Sequence, residues 1–226
     1  MIHEFGRPKC KIVPINQYSF DIIDLTNFIG GARLSLVIAV LHEGVVYYGA
    51  DSQTTSDKLK FSATDEEKGK IRILPQEIVI GNVGKVRTSS ILWLHDEWFQ
   101  FPDGIPFTKE TLLERVVNPY YRELAKVEKD LTNESFGVKS LPSSFLIGHK
   151  DRVYLILGSG GTIRIVDYAA IGSGAEYALP ALSDPRFQTP NERILFALRT
   201  AAKYEPTVSG PFLLFNSATL TPVLES

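Results

Sequence analysis

The 226-residue sequence is poor in the residues that form disulfides and metal sites. It contains a single cysteine, Cys10, and four histidines, His3, His42, His95 and His149. One cysteine cannot form a disulfide within its own chain, and the histidines are scattered without the spacing of metal ligands. We therefore expect no metal and no other cofactor. A reducing compartment, the cytoplasm, is the expected location.

The sequence also lacks long apolar runs and an excess of one charge. A transmembrane helix needs about 18 consecutive apolar residues, and no run approaches that length. Residues 1–8 lack the basic and apolar segments of a signal peptide. The formal net charge is −2, which provides no basic field to attract a phosphate backbone. We therefore expect neither a membrane nor a nucleic acid as a partner.

A β-hairpin signal dominates the early part of the chain. The run that begins at Ser35 turns at Glu43-Gly44 and returns as a second apolar run that ends at Asp51. A glycine in a short turn between two such runs predicts antiparallel strands. Lys70 opens the next apolar run. A hydroxyl, a carboxylate and a lysine in this order indicate a nucleophile that is activated by its own amine.

The remaining pattern alternates between groups of strands and pairs of helices. We expect a strand pair at 70–74 and 77–83, two helices between 85 and 131, a second sheet made of 144–148, 152–157 and 162–166, two helices starting at 174 and 190, and a strand at 212–215. Four strands thus precede the first helix. Strand groups separated by helix pairs are typical of a layered sandwich with helices outside two packed sheets.

Three local signals refine these predictions. Ile91, Leu94 and Trp98 are spaced for one face of the first helix. The second helix is expected to bend near Pro119. The segment 189–192, Thr-Pro-Asn-Glu, combines an N-cap, a proline at the first helical position and a reciprocal glutamate, which predicts the start of the last helix.

The first 34 residues differ from the rest. They contain Pro8, Pro14 and the pair Gly30-Gly31, and their apolar residues follow no sustained period. We interpret residues 1–34 as a leader or propeptide-like segment. Residues 35–226 are expected to form one domain, since about 190 residues can bury a substantial core.

Several motifs between residues 35 and 215 together resemble the β-type subunits of the proteasome and the HslV peptidase, which are N-terminal nucleophile (Ntn) hydrolases. The resemblance covers most of the chain. It rests on Gly44 in the first turn, Gly49-Ala50-Asp51-Ser52-Gln53-Thr54-Thr55 after the second strand, Lys70, Gly81-Asn82-Val83-Gly84 before the first helix, and the segment 170–179 before the third helix. The fold implied is α+β, a four-layer αββα sandwich.

The resemblance also implies roles for individual residues. Ser35 takes the place of the catalytic threonine, and removal of the preceding segment would free its α-amine as the general base. Lys70 would favour the deprotonated amine and stabilise the alkoxide, while Asp51 holds the lysine charged. Ser173 matches the serine that hydrogen-bonds the amine. Glu205 lies nearest to the position of the family's late aspartate.

The oxyanion site and three departures complete the comparison with the family. A backbone N–H near Gly84 or Lys85 is expected to face the oxyanion. First, the chain has serine instead of threonine at position 35 and Leu34 where a glycine normally precedes the cleavage point. Second, it has Lys85 where the family has the second glycine of a doublet, and third, Glu205 instead of the late aspartate.

The function implied is that of a peptidase, and two alternatives stay open. One is a non-catalytic subunit of the same fold that keeps its leader and acts in assembly, and the other is an amidohydrolase for small amides. Without the resemblance, Ser35 is the polar first residue of a buried strand, Asp51 a turn cap and Lys70 a solvated strand end. The resemblance further implies a homo-oligomeric ring or stack, a peptide or unfolded protein as substrate, and an ATPase unfoldase as a possible partner.

Overall fold

The computed structural model describes most of the predicted domain. It covers residues 35–56, 59–62, 69–84, 86–102, 104–127, 133–135, 138–140 and 143–226. Within these residues the chain forms fourteen strands and five α-helices. The expected leader, 1–34, lies outside the described residues, as does Lys85.

Two antiparallel five-stranded sheets form the centre of the fold. The first sheet consists, in spatial order, of β12 (Tyr168–Gly172), β1 (Leu36–His42), β2 (Val45–Asp51), β13 (Phe212–Asn216) and β14 (Val223–Glu225). The second consists of β11 (Thr162–Ile165), β10 (Arg152–Ile156), β9 (Ser143–His149), β6 (Ile78–Gly84) and β5 (Ile71–Leu74). Two short hairpins join β3 (Gln53–Ser56) to β4 (Leu59–Ser62) and β7 (Asn133–Ser135) to β8 (Val138–Ser140).

The helices pack on the outer faces of the two sheets. The helices over the second sheet are α1 (Val86–Trp93), α2 (Lys109–Leu112) and α3 (Asn118–Val127), and those over the first sheet are α4 (Ala175–Leu182) and α5 (Pro190–Tyr204). A wider turn of π geometry, Leu113–Val117, links α2 to α3. The predicted capping box begins α5, because the Thr189 hydroxyl accepts from the Glu192 N–H and Glu192 accepts from the Thr189 N–H.

Three apolar cores separate the four layers. Strand β1 illustrates the arrangement, because alternate residues point to opposite faces of a sheet. Leu36 and Ile38 pack under α4 and α5, whereas Val37 and Ala39 pack between the sheets. All four side chains are fully buried. Helices outside two packed sheets match the predicted αββα sandwich.

The β1–β2 hairpin aligns the strand ends that matter for the site. Glu43 and Gly44 both have positive φ, 49° and 77°, as expected of a two-residue turn that matches the twist of the strands. The strand register pairs Val37 with Ala50 and Leu36 with Gly172. The start of β1 and the ends of β2 and β12 therefore meet at one end of the first sheet.

The structure corrects several sequence predictions. The first helix ends at Trp93, and the Leu94 side chain is 78% exposed instead of lying on the helix's apolar face. The second helical region contains a π turn that ends two residues before Pro119, and the predicted bend near Pro119 stays a prediction. Among the described residues, six strands, not four, precede the first helix, and the second sheet already begins with β5 and β6. Strands β12 and β14 were not predicted.

Candidate active site

The candidate site lies where strand ends from both sheets converge. Ser35 immediately precedes β1, Asp51 ends β2, Lys70 precedes β5 and Ser173 follows β12. Ser35, Asp51 and Lys70 are all buried, with 6%, 2% and 8% exposure. Buried polar groups are kept in proteins when they have partners, so the contacts of each group define the site.

Asp51 is the centre of the arrangement. Its Oδ1 accepts the backbone N–H of Leu36 at 2.7 Å and lies 2.5 Å from Lys70 Nζ. Its Oδ2 accepts the backbone N–H of Gln53 at 3.2 Å. One carboxylate thereby ties the lysine ammonium to the backbone directly after Ser35.

The ion pair stands in a desolvated environment. Burial lowers the pKa of Lys70, and the charge and hydrogen bond of Asp51 oppose that shift. Burial also raises the pKa of Asp51, and Lys70 together with the two backbone N–H groups opposes that shift. Burying such an ion pair costs desolvation energy. Groups whose pKa values are shifted by burial and by a charged partner cluster at functional sites, so the pair marks a candidate site.

Ser35 is held on its other side by β12 and the residue that follows. Its backbone N–H donates to Ser173 Oγ at 3.3 Å. Gly172 has a φ of 109°, and a Cβ at that position would come within 2.0 Å of the Ser35 carbonyl oxygen. Only glycine therefore permits β12 to approach the candidate nucleophile so closely.

Glu205 reaches this side of the site through a residue that the sequence did not single out. Ser173 Oγ lies 2.8 Å from Thr207 Oγ1. Thr207 Oγ1 in turn donates to Glu205 Oε1 at 2.6 Å, and the Thr207 N–H donates to the same oxygen at 3.0 Å. The signal that could have found Thr207 is its position two residues after an acidic residue, a spacing at which such local bonds form.

Gln53 fixes the loop that carries Thr207. Its side chain is buried, its Nε2 donates to the Pro206 carbonyl at 3.3 Å, and its Oε1 accepts from Ser209 Oγ at 2.7 Å. Its own N–H is bonded to Asp51. Gln53 therefore links the ion pair on one side of Ser35 to the Glu205 loop on the other. The sequence pattern gave no functional role to Gln53.

The predicted oxyanion segment lies beside Lys70. Gly84 ends β6 with a φ of 137°, and α1 begins at Val86. The Asn82 N–H donates to the Lys70 carbonyl at 2.8 Å, and the Asn82 side-chain amide donates to Ser89 Oγ in α1. The strand that carries Gly84 is therefore attached both to the lysine backbone and to the helix that follows.

Among the described residues, no three histidine, cysteine, aspartate or glutamate side chains are grouped to hold a metal ion. No helix within those residues is long and apolar enough to span a bilayer. The site combines a serine with a buried ammonium–carboxylate pair that binds the backbone N–H of the next residue, Leu36. A serine hydroxyl near a lysine suits nucleophilic attack on an acyl carbon.

Comparison with solved structures gives clear matches. The fold is similar to BPH from Thiobacillus denitrificans, with 19% identity over 80% of this chain and 96% of that chain and a TM-score of 0.61. HslV from Trypanosoma brucei is 17% identical over 80% of this chain and 98% of that chain, with a TM-score of 0.54. Anbu from Pseudomonas aeruginosa is 15% identical over 84% of this chain and 85% of that chain, with a TM-score of 0.61.

These similarities establish the fold. No family model and no curated protein sequence matches the chain. BPH, HslV and Anbu are proteasome-like Ntn hydrolases, and each is matched over at least 85% of its length. The predicted α+β fold of the proteasome-like hydrolases is thereby confirmed. At identities below 20%, the likeness carries no residue roles with it.

Proposed function

We propose that the chain is a proteasome-type peptidase that uses Ser35 as its nucleophile. One observation carries the proposal: Asp51 Oδ1 accepts the N–H of Leu36 and the ammonium of Lys70 together. A buried positive charge is thereby fixed beside the backbone of a serine at the start of a strand. This is the arrangement that an amine-activated hydroxyl requires.

The active form is proposed to arise by cleavage of the bond between Leu34 and Ser35. The freed α-amine has an ordinary pKa of about 7.7–8.0, which suits a base that must take and return a proton near neutral pH. The positive charge of Lys70 favours the neutral form of that amine, because like charges disfavour each other. Asp51 keeps the lysine in place.

The reaction proceeds by acyl transfer to the serine oxygen. The α-amine takes the Ser35 hydroxyl proton while Oγ forms a bond to the substrate's carbonyl carbon. Backbone N–H groups of the segment that follows Gly84 stabilise the oxyanion. The peptide C–N bond then breaks, and the leaving amine takes the proton from the α-ammonium. Water hydrolyses the resulting ester by the same steps and restores the serine.

The surroundings of the enzyme are part of the same proposal. The solved Anbu of Pseudomonas aeruginosa is a helical assembly, and we propose that this chain also associates with itself. An enclosed site in such an assembly would select unfolded chains and peptides as substrates. A cytoplasmic location and an ATPase that feeds substrates to the site belong to the proposal as well.

A non-catalytic subunit is the second candidate, and the burial of Ser35 favours it. Ser35 is only 6% exposed, and its backbone N–H donates to Ser173 Oγ. A chain that keeps residues 1–34 would have no α-amine at Ser35 and so no base of the proposed kind. An amidohydrolase for small amides would share the mechanism and differ only in substrate.

Hydrolysis assays on matched serine variants test the proposal. The full chain is expected to cleave fluorogenic peptides, Ser35→Ala to lose at least about 10³-fold in kcat/KM, and Ser35→Thr to retain measurable activity. Ser183→Ala, at the exposed end of α4, is the control and should behave as the wild type. Equal activity of Ser35→Ala and wild type would contradict the proposal. Activity on small amides alone would favour the amidohydrolase.

A further inference from the structure

The hydroxyl chain between Ser35 and Glu205 has a direction that the contacts themselves fix. Glu205 Oε1 accepts the Thr207 N–H, a group that can only donate, and also accepts the Thr207 hydroxyl. A hydroxyl has one proton. Thr207 Oγ1 therefore uses its proton on Glu205, and toward Ser173 it can act only as an acceptor.

The next link follows from the first. Ser173 Oγ lies 2.8 Å from Thr207 Oγ1 and 3.4 Å from the Ser35 carbonyl oxygen, so its single proton has two possible acceptors. The shorter contact with an oxygen that needs a donor is the stronger of the two. With its proton given to Thr207, Ser173 Oγ presents lone pairs to the Ser35 nitrogen, which donates to it at 3.3 Å.

We propose that Thr207 is a positioning residue that transmits the acceptor character of Glu205, through Ser173, to the nitrogen of Ser35. This inference rests on the proposed function. In the processed enzyme the relay holds one N–H of the α-amine and leaves the amine's lone pair for the Ser35 hydroxyl. When the amine has taken the proton, the same relay stabilises the ammonium, because every link already points toward the carboxylate.

The loop that carries the relay is fixed independently of it. Gln53 binds the carbonyl of Pro206 and the hydroxyl of Ser209 on either side of Thr207, and the Ser52 N–H donates to the Ser209 carbonyl at 3.2 Å. The Thr207 hydroxyl is thus placed by neighbouring bonds. Removing that hydroxyl should break the relay without releasing the loop.

Titratable groups of neighbouring described elements also bear on the charge at the nitrogen. Asp51, at the end of β2, accepts the N–H of Leu36, the residue after Ser35, and Lys70, before β5, is paired with Asp51. Tyr177 and Glu176 of α4 lie near Glu205, since the hydrogen bond between Tyr177 and Glu176, together with the charges of Glu176 and Glu205, raises the pKa of Tyr177. Lys203 lies over the Tyr204 ring at the end of α5.

The relay predicts in which direction the pH dependence of kcat/KM shifts when the charge of Glu205 is removed. Glu205 contributes negative charge, which raises the pKa of the amine, whereas Lys70 lowers it. The acid limb of the kcat/KM profile reports the pKa of the free enzyme's base. Glu205→Gln should move that limb to lower pH by about half a unit, which is a threefold change in the protonation constant. The plateau rate should fall, because the ammonium in the transition state loses stabilisation.

Glu205→Gln, Thr207→Val and Thr207→Ser, together with a matched control, test the proposal by the pH dependence of peptide hydrolysis. Thr207→Val should lower the plateau of kcat/KM roughly tenfold, the factor that corresponds to about 1.4 kcal/mol. Thr207→Ser keeps the hydroxyl and should restore most of the rate. The control is the double variant Thr189→Val/Glu192→Gln, which alters a threonine–glutamate pair at the other end of α5. This double variant should be less stable than the wild type, but the acid limb of its kcat/KM profile should stay at the wild-type pH.

The outcomes separate this inference from the proposed function. If Thr207→Val and Glu205→Gln both keep the wild-type plateau of kcat/KM and the wild-type position of its acid limb, the relay is overturned while the proposed peptidase function stands. If the wild type hydrolyses nothing, the proposed function fails, and the relay is then decided in the full chain by a double-mutant cycle of Ser173→Ala and Thr207→Val. If the combined effect of the two substitutions on the unfolding equilibrium constant differs at least threefold from the product of their separate effects, the hydrogen-bonded chain is supported. Effects that simply add in free energy overturn it.

Discussion

At the scale of single residues, the Asp51–Lys70 pair is costly and is best explained by chemistry. Both groups are buried, and desolvation is the largest influence on the pKa of each. Replacing a buried pair by apolar groups is often neutral or stabilising, so stability alone does not account for it. What the pair does provide is a fixed positive charge beside Ser35.

Removing one partner at a time should give opposite dependences of stability on pH. In Lys70→Met, Asp51 keeps a raised pKa without its counter-charge, so the folded state binds a proton more tightly than the unfolded state. Stability is then highest below about pH 4 and falls as the pH rises. In Asp51→Asn, Lys70 keeps a lowered pKa, and stability rises with pH toward about 10.

Urea unfolding across pH measures both slopes. At neutral pH each single variant is expected to lose about 3–5 kcal/mol, because a buried charge is left uncompensated. The double variant, which removes both charges, should recover part of that loss and show neither slope. Two single variants with the same pH slope as the wild type would show that the pair is not buried as described.

At the scale of elements, the approach of β12 to β1 places Ser35 against Ser173. The register pairs Leu36 with Gly172, and the backbone at Gly172 passes so close to Ser35 that no side chain fits. Strand β12 was not predicted, because its five residues, Tyr168–Gly172, carry no clear alternation of their own. Their strand character comes from pairing with β1, which is far away in the sequence.

Gly172→Ala should therefore be strongly destabilising. Its positive φ is unfavourable for alanine, and the added Cβ would meet backbone atoms that cannot move aside. We expect a loss of about 3 kcal/mol or more in the free energy of unfolding. Gly161→Ala is the matched control, because its Cβ would meet only side-chain atoms at 3.5 Å and beyond. Similar unfolding free energies for the two variants would contradict the close approach of β12.

The same scale explains which parts of the site were readable from sequence. Ser35, Asp51 and Lys70 were associated through the hairpin turn at Gly44, the strands beside it and the resemblance to the family, which gave this order of residues its meaning. Thr207 was missed because its role depends on Ser173, which is distant along the chain. Leu94 was assigned to a helix face from its spacing, but α1 ends one residue earlier and leaves it exposed.

At the scale of the whole molecule, the four-layer sandwich was predictable because its pattern is repeated throughout the chain. Strand groups and helix pairs alternate, and the apolar residues of β1 serve one core on each face of its sheet. The assignment of strands to sheets was less readable, since the β5–β6 pair joins the second sheet through β6, which pairs with β9 across more than fifty residues. Removal of the segment before Ser35 is the step at this scale on which the proposed mechanism depends, because it would create the α-amine that acts as the base.

The intact mass of the purified protein after incubation with epoxomicin tests the central claim most directly. Epoxomicin is a suitable electrophile, since BPH from Thiobacillus denitrificans has been solved in complex with it. We predict loss of residues 1–34 from the 25.2 kDa chain and a mass increase of one inhibitor that maps to Ser35. Ser35→Ala should show neither change. A wild-type chain of full-length mass with no adduct would contradict the account of Ser35 as an N-terminal nucleophile.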